Sequence, residues 1–319
     1  MIDRREIRSH VDGHLSTARG NMLPRVRTAF DRLTRKHGLL TTDLNPYFPV
    51  LGHPLFELPI WVAERLRTAG IHTSEQQLAD ILGVSALGYL HVRAQDDWLD
   101  EASRQDPTLL GLAEALLASC HGLLISTVGT SGRFWDFHVG VINSYAESLL
   151  HTAELRTTGA KITREDFEQM LAQSRPLVIP SAALLDRANC WQFLPRLEGF
   201  IFATTAAIQL LNDLTDLYRD RRLGQRTWVI ETVGESGADR LWLDVLRSAC
   251  GGTGSGVQEV IENSLQFHDR SAAIAEDLGL TAAESWLAER RAILTNLFNP
   301  LKEHLLFAFS QRISEGEFH

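Results

Sequence analysis

The residues best suited to chemistry lie in an acidic stretch at residues 91–104, HVRAQDDWLDEASR. It contains four carboxylates: Asp96, Asp97, Asp100 and Glu101. Residues four apart share a helix face, so Asp96 and Asp100 are expected to point one way, with the other two on a neighbouring stripe. Like charges at this spacing repel by about 0.2–0.5 kcal/mol per pair. A hard divalent cation would offset that repulsion, and a solvated acidic face is the alternative interpretation.

A second stretch, residues 208–220 (IQLLNDLTDLYRD), repeats the pattern. Asn212, Asp216 and Asp220 stand four residues apart, so a helix places their oxygens in one stripe, with Asp213 beside it. The preceding segment is too apolar for a solvated helix, so the stripe is expected to emerge from a buried face. Two such stripes facing each other would form a cage of oxygen ligands open to solvent.

Magnesium is the cation that this donor set predicts. Mg²⁺ prefers oxygen ligands and binds one or two carboxylates together with substrate phosphates, so the expected ligand is a diphosphate. The predicted metal ligands are Asp96, Asp97, Asp100, Asn212, Asp216 and Asp220.

Both stretches resemble motifs of the class I isoprenoid synthases, which comprise the trans-isoprenyl diphosphate synthases and the class I terpene synthases. DDWLDE is similar to their aspartate-rich first motif, and NDLTDLYRD is similar to their second. The second motif is a hybrid, because Asp216 stands where terpene synthases carry Ser or Thr and chain-elongating enzymes carry Asp. The resemblance covers roughly residues 75–230. It implies a single domain over residues 1–319, an α-helical bundle around a central active-site cavity, with Mg²⁺ as cofactor and a prenyl diphosphate as substrate.

The resemblance also implies two cationic donors for the substrate diphosphate. Arg175 stands at a helix break that Pro176 and Pro180 predict, and its spacing from the second stretch is similar to that of the family's Lys or Arg. Arg226 precedes a threonine, as the lysine of a Lys-Thr pair does in the chain-elongating enzymes. The alternative for Arg175 is a surface arginine at a helix end. The alternative for Arg226 is that the basic run Arg219, Arg221, Arg222 and Arg226 is a solvated loop that pairs with the acidic stripe.

Few basic residues are available for a second diphosphate. No Gly-Gly-Lys-Arg-type motif of the elongating synthases occurs near residues 45–61, and Gln105 stands where a second arginine is expected. A site without cations binds such an anion poorly. The sequence therefore favours a terpene synthase, or cyclase, which ionises one prenyl diphosphate and converts the carbocation to a hydrocarbon or alcohol. The alternatives are a trans-prenyltransferase or isoprenyl diphosphate synthase, and a catalytically silent helical partner subunit.

An allylic cation must be shielded from water, and aromatic faces can stabilise it. The aromatic side chains considered for this role are Trp98, Phe134, Trp135, Phe200 and Phe202. A role in the hydrophobic core is the alternative for each.

Local signals predict the helices that position these residues. Ser74 and Gln77 form a capping box that starts a helix over residues 74–101, which carries the first stretch. Thr163 with Asp166 predicts another helix start. Residues 4–37 predict one or two amphipathic helices, and the prolines of residues 45–61 predict a loop or extended segment.

Composition favours a single large helical protein. The 319 residues are 44% hydrophobic, which is ample for a core, and Leu- and Ala-rich segments at helical spacing predict an all-α fold. A net charge of -9 disfavours nonspecific binding to nucleic acid. Without an apolar leader or a long uninterrupted apolar run, a cytoplasmic protein with no membrane span is expected. Three widely spaced cysteines predict buried thiols in a reducing compartment. The oligomeric state is open, with a homodimer as one alternative.

Overall fold

Helices make up every regular element in the part of the chain that the structure describes, so the all-α prediction is confirmed. The structure is a computed structural model, and it describes residues 4–36, 54–100, 106–130, 132–222, 224–234 and 256–295. The α-helices are α1 (Arg4–Asn21), α2 (Pro24–Lys36), α3 (Pro54–Thr68), α4 (Glu75–Asp100), α5 (Pro107–Val128), α6 (Arg133–Thr158), α7 (Arg164–Met170), α8 (Ile179–Arg187), α9 (Leu194–Arg222), α10 (Trp228–Val233), α11 (Gly256–Leu278) and α12 (Thr281–Thr295). Two 3₁₀ helices, Leu171–Val178 and Trp191–Phe193, precede α8 and α9.

The chain divides into two compact units. Unit 1 takes Met1–Ile142 and Pro176–Leu197, and unit 2 takes Asn143–Arg175 and Glu198–His319. The first acidic stretch belongs to unit 1 and the second to unit 2. A single domain around a central cavity stays a prediction.

Unit 1 is built around α4, which packs against α1, α3, α5 and α8. The predicted capping box starts this helix. The Gln77 amide donates to Ser74 Oγ at 3.2 Å, and the Ser74 amide donates to Gln77 Oε1 at 3.0 Å. The apolar face of α4 is buried through Leu78, Ile81, Leu82, Ser85, Leu87 and Leu90. Because α2 also contacts this helix, the first acidic stretch lies at the end of a helix that five neighbours hold in place.

Gly83 allows two helices to approach α4 closely. A Cβ at this position would stand 2.7 Å from Cδ2 of His14 on α1 and 2.9 Å from a methyl carbon of Leu123 on α5. These distances are shorter than van der Waals contact, so a larger residue would force the neighbours to move. A Cβ at Gly88 would meet nothing within 4 Å. Close packing thus explains Gly83 and not Gly88.

Unit 2 has a core that brings α7, α9, α10 and α11 together. Its buried side chains are Ile162, Phe167, Leu171, Ala206, Ala207, Leu210, Leu214, Leu217, Trp228, Val229, Ile230, Val233, Val257, Val260, Ile261 and Phe267. The capping box of Thr163 and Asp166 starts α7 as predicted. Because Leu210, Leu214 and Leu217 lie in the core, the polar residues between them are held at fixed positions on α9.

One sequence prediction about the prolines is wrong. Residues 54–61, expected as a loop or extended segment, belong to α3, which begins at Pro54 and contains Pro59. Proline at a first helical position costs little, but one inside a helix costs about 3 kcal/mol. Full burial of Leu58, Ile60 and Trp61 offsets that cost, because each buried large apolar side chain contributes about 1.5–3 kcal/mol. Residues 45–53 lie outside the described part of the chain.

The other proline prediction is confirmed. Pro176 lies within the 3₁₀ helix Leu171–Val178, and α8 then begins with Pro180 in its first turn. Each proline lacks an amide hydrogen, so one helical hydrogen bond is lost at each position and the segment does not form one continuous α-helix.

One helix, α5, is long and apolar enough to cross a membrane by length and composition. Its 18-residue window has a mean hydropathy of 1.7, and 33% of that window is buried inside the structure. Core helices of soluble proteins meet the same criterion, and the absence of a membrane span stays a prediction.

Candidate functional site

Two cations of the chain pair with Asp96 and Asp97 in the first acidic stretch. Arg93, one turn earlier on α4, places Nη2 2.7 Å from Asp96 Oδ2. Lys36, the last residue of α2, places Nζ 2.8 Å from Asp97 Oδ1. The sequence suggested a metal ion as the partner for these charges, whereas the structure supplies lysine and arginine. Asp100 ends α4, and its side chain is outside the described residues.

Tyr89 also lies close to this stretch. The Arg93 guanidinium carbon lies 5.6 Å from the centre of its ring. Burial raises the pKa of the Tyr89 phenol, Arg93 opposes the shift, and Asp96 and Asp97 add to it. Arg93 therefore packs on an aromatic face while it pairs with a carboxylate, which restricts its position.

The side chains of the second stretch differ in burial. Asn212 is exposed, Asp216 is partly exposed, and Asp213 and Asp220 are buried. One arginine serves two of these carboxylates: Arg219 Nη2 lies 2.9 Å from Asp216 Oδ2, and its Nε lies 3.5 Å from Asp220 Oδ1. The buried Asp220 Oδ1 makes no hydrogen bond. The single stripe predicted for Asn212, Asp216 and Asp220 thus runs from solvent into the protein along the last three turns of α9.

Burial raises the pKa of two carboxyl groups in this stretch, Asp213 and Asp220. Burial is the main cause that raises the pKa of Asp213 to about 7, with Asp220 and Asp216 adding to the shift. A hydrogen bond from Gln209 Nε2 to Asp213 Oδ1, at 2.6 Å, opposes it. Burial also raises the pKa of Asp220, against the opposing charge of Arg219. Within the described residues, the charges that lower the pKa of Asp220 do not outweigh its burial.

The oxygen ligands that the second stretch offers are of the kind that hard divalent cations prefer. A buried carboxylate oxygen without a hydrogen bond, next to two more acidic side chains, is the environment that an added positive charge would stabilise most. Within the described ranges, no group of three or more His, Cys, Asp or Glu side chains is arranged so that it could hold a metal ion.

Both predicted diphosphate donors are engaged elsewhere in unit 2. Arg226 Nη1 donates to the carbonyl oxygen of Gly159, and its other terminal nitrogen pairs with the buried Glu231. Arg175 Nε lies 2.8 Å from Glu198 Oε1, near the start of α9. At 1.5 Å per residue, Glu198 and Asn212 are roughly 21 Å apart along that helix. The structure therefore does not bring Arg175 to the second stretch, and its catalytic role stays a prediction.

The aromatic candidates differ in burial. Phe134 and Phe200 are fully buried, in agreement with the core alternative. Phe202 packs against the core of unit 2, with its ring centre 6.2 Å from that of Phe267. Trp98 and Trp135 are half-buried.

Sequence reasoning missed two residues at the first stretch, Lys36 and Arg93. Lys36 is distant in sequence from Asp97, so no local signal indicated the pair. Arg93 stands three residues before Asp96, a spacing that favours ion pairs on a helix and could have been used. The contacts of Arg219 with Asp216 and Asp220 agree with the alternative that the basic run after the second stretch pairs with its carboxylates.

No protein-family profile matches this chain, and neither a curated protein nor a solved structure matches it.

Proposed function

We propose that this protein is a class I terpene synthase-like enzyme that ionises a prenyl diphosphate with Mg²⁺ and converts the carbocation to a hydrocarbon or alcohol. The ordered pair of acidic motifs and the all-α fold support the proposal. The observation that carries it is the second stretch, where Asp220 Oδ1 is buried without a hydrogen bond beside the acidic Asp213 and Asp216. A purely structural acidic patch would gain stability from full pairing or full exposure, and this one has neither.

The residues of unit 2 that would hold Mg²⁺ are Asn212, Asp216 and Asp220. Asp96, Asp97 and Asp100 of unit 1 are the predicted ligands of the first motif. When bound, the ion would neutralise the diphosphate leaving group and so favour its departure.

Arg219 has a defined task in this proposal. Its side chain is 60% exposed and already touches both Asp216 and Asp220. A cation that takes over these carboxylates would release the guanidinium, whose planar fork suits phosphate oxygens. Arg219 would then orient the diphosphate, a role that the sequence assigned to Arg175 and Arg226.

The test is diphosphate release from prenyl diphosphates of several chain lengths, in Mg²⁺, with and without isopentenyl diphosphate. Release from the allylic substrate alone, followed by a hydrocarbon or alcohol product, is the expected result. Asp220→Asn should lower the rate at least about 100-fold if the ligand acts in the transition state. The matched control is Asp269→Asn, which removes an exposed carboxylate paired with Arg291 in the same unit and should leave the rate unchanged.

Two outcomes would replace the proposal. Release that requires isopentenyl diphosphate or another acceptor identifies a prenyltransferase. No release from any substrate, with a folded and metal-binding protein, identifies a silent helical subunit.

A further inference from the structure

The contact between Lys36 and Asp97 joins the first acidic stretch to a helix far away in sequence. Lys36 ends α2, and Asp97 lies in the last turn of α4. The Lys36 side chain is 48% exposed, whereas the Asp97 side chain is only 16% exposed. The lysine therefore approaches from the solvent side of a carboxylate that the protein largely encloses.

The neighbouring cation of α2 behaves differently. Arg35 Nε donates to the carbonyl oxygen of Asp31 at 2.9 Å, within its own helix. Of the two adjacent positive charges at the end of α2, Lys36 is the one that forms an ion pair with the acidic stretch.

An ammonium at 2.8 Å and a divalent cation cannot share Asp97 without strong repulsion. Lysine is suited to exchange, because its charge sits on a flexible stem and its half-exposed side chain can return to solvent when another cation takes its place beside Asp97. Either the metal ion must displace Lys36 or Lys36 must keep the metal ion away.

We propose that Lys36 is a built-in competitor for the divalent cation at the first acidic stretch, so that metal loading there requires α2 to release Asp97. This inference rests on the proposed function for the role of Asp97 as a metal ligand. In the metal-free protein, Lys36 stabilises the enclosed carboxylate. In the loaded protein, its ammonium returns to solvent.

The experiment measures Mn²⁺ binding to the full-length protein by electron paramagnetic resonance, without substrate. Lys36→Met should bind Mn²⁺ about fivefold more tightly at the first stretch, since a partly exposed ion pair and one like-charge repulsion are both removed. Lys36→Arg keeps the charge and should resemble the wild type. Arg35→Gln removes the adjacent charge without touching the stretch and should also resemble the wild type.

A double variant assigns the effect to Asp97. In an Asp97→Asn background, Lys36→Met should no longer tighten Mn²⁺ binding. Equal tightening by Lys36→Met and Arg35→Gln would show a general charge effect and overturn the proposal. Unchanged binding in Lys36→Met, or no Mn²⁺ binding by either protein, would overturn it as well. Circular dichroism checks that each protein is folded, including a parallel Lys36→Gln variant.

Failure of the proposed function is a separate result. Tighter Mn²⁺ binding by Lys36→Met, with no diphosphate release from any prenyl diphosphate, would support the competitor role and reject the enzyme activity. Diphosphate release by the wild type, with no change in Mn²⁺ binding for Lys36→Met, would support the enzyme activity and reject the competitor role.

Discussion

At the scale of single residues, the two acidic stretches differ in how the chain balances their charge. Asp96 and Asp97 each have a cation within 2.8 Å. Asp216 and Asp220 share Arg219, and burial raises the pKa of Asp220 and Asp213. The free energy available from adding a divalent cation is therefore expected to be larger at the second stretch than at the first.

The raised pKa of Asp213 predicts that the free energy of unfolding falls as pH rises. Its pKa is about 7 in the folded protein, against an ordinary value of 3.8, so between these pH values the folded state holds a proton that the unfolded state has released. Stability is lost as pH rises through this window. Asp213→Asn keeps an acceptor for Gln209 and should raise the free energy of unfolding by about 2–4 kcal/mol at pH 7.5, and hardly at pH 4.

Urea unfolding of the metal-free protein at both pH values measures this effect. Asp216→Asn, at a partly exposed position on the same helix, is the control and should show a smaller difference. An Asp213→Asn effect that is equal at both pH values would contradict the prediction.

The lowered pKa of His138, in unit 1, predicts the opposite dependence of stability on pH. Its ring centre lies 5.0 Å from that of His121, with Trp135 at 5.3 Å. Burial, and to a lesser extent His121, lower its pKa from 6.5 to about 4. The unfolded state binds the proton more readily, so stability is lost as pH falls from about 6.5 towards 4. His138→Phe should reduce this acid sensitivity by about 2–3 kcal/mol.

Tryptophan fluorescence during urea unfolding at pH 7.5 and pH 4.5 compares the variant with the wild type. The exposed His72, changed to Gln, is the control and should leave the acid sensitivity as it is. Equal acid sensitivity in His138→Phe and the wild type would show that this histidine is not responsible.

At the scale of elements, α4 has two glycines with different consequences. Gly83→Ala should destabilise the protein by about 1–3 kcal/mol, because its Cβ would press against His14 and Leu123. Gly88→Ala should stabilise it by up to about 1 kcal/mol, since alanine favours the helix and the added carbon meets open space. Thermal unfolding of the two variants provides the measurement, and each serves as the control for the other. A stable Gly83→Ala protein would mean that α1 or α5 shifts at little cost.

At the scale of the whole molecule, metal and diphosphate are expected to stabilise the fold together. A ligand that binds the folded state alone adds about 2.7 kcal/mol at 100 times its dissociation constant. We expect Mg²⁺ with inorganic diphosphate to raise the melting temperature, and each alone to raise it less. Asn212→Ala combined with Asp220→Asn should remove the joint effect, whereas Asp269→Asn should keep it. Identical melting temperatures with and without the pair of ligands would count against a diphosphate site.

Much of the secondary structure could be predicted from sequence because its causes are local. The caps at Ser74 and Thr163, the apolar periodicity of α4 and the proline break at Pro176 act within a few residues, and all are confirmed. The error at Pro59 has a non-local cause. Its helix persists because distant elements bury the neighbouring side chains.

The sequence by itself determined the acidic stripes and their helical setting, because residue type and spacing along one helix specify these. The class of chemistry that they suit stays a prediction. Only the tertiary structure decided which distant charges are paired. Lys36 reaches Asp97 because α2 and α4 both belong to unit 1, and Arg175 is engaged by Glu198. Burial and these long-range ion pairs depend on segments distant in sequence, and no local pattern encodes them, unlike the pairs of Arg93 with Asp96 and of Arg219 with Asp216.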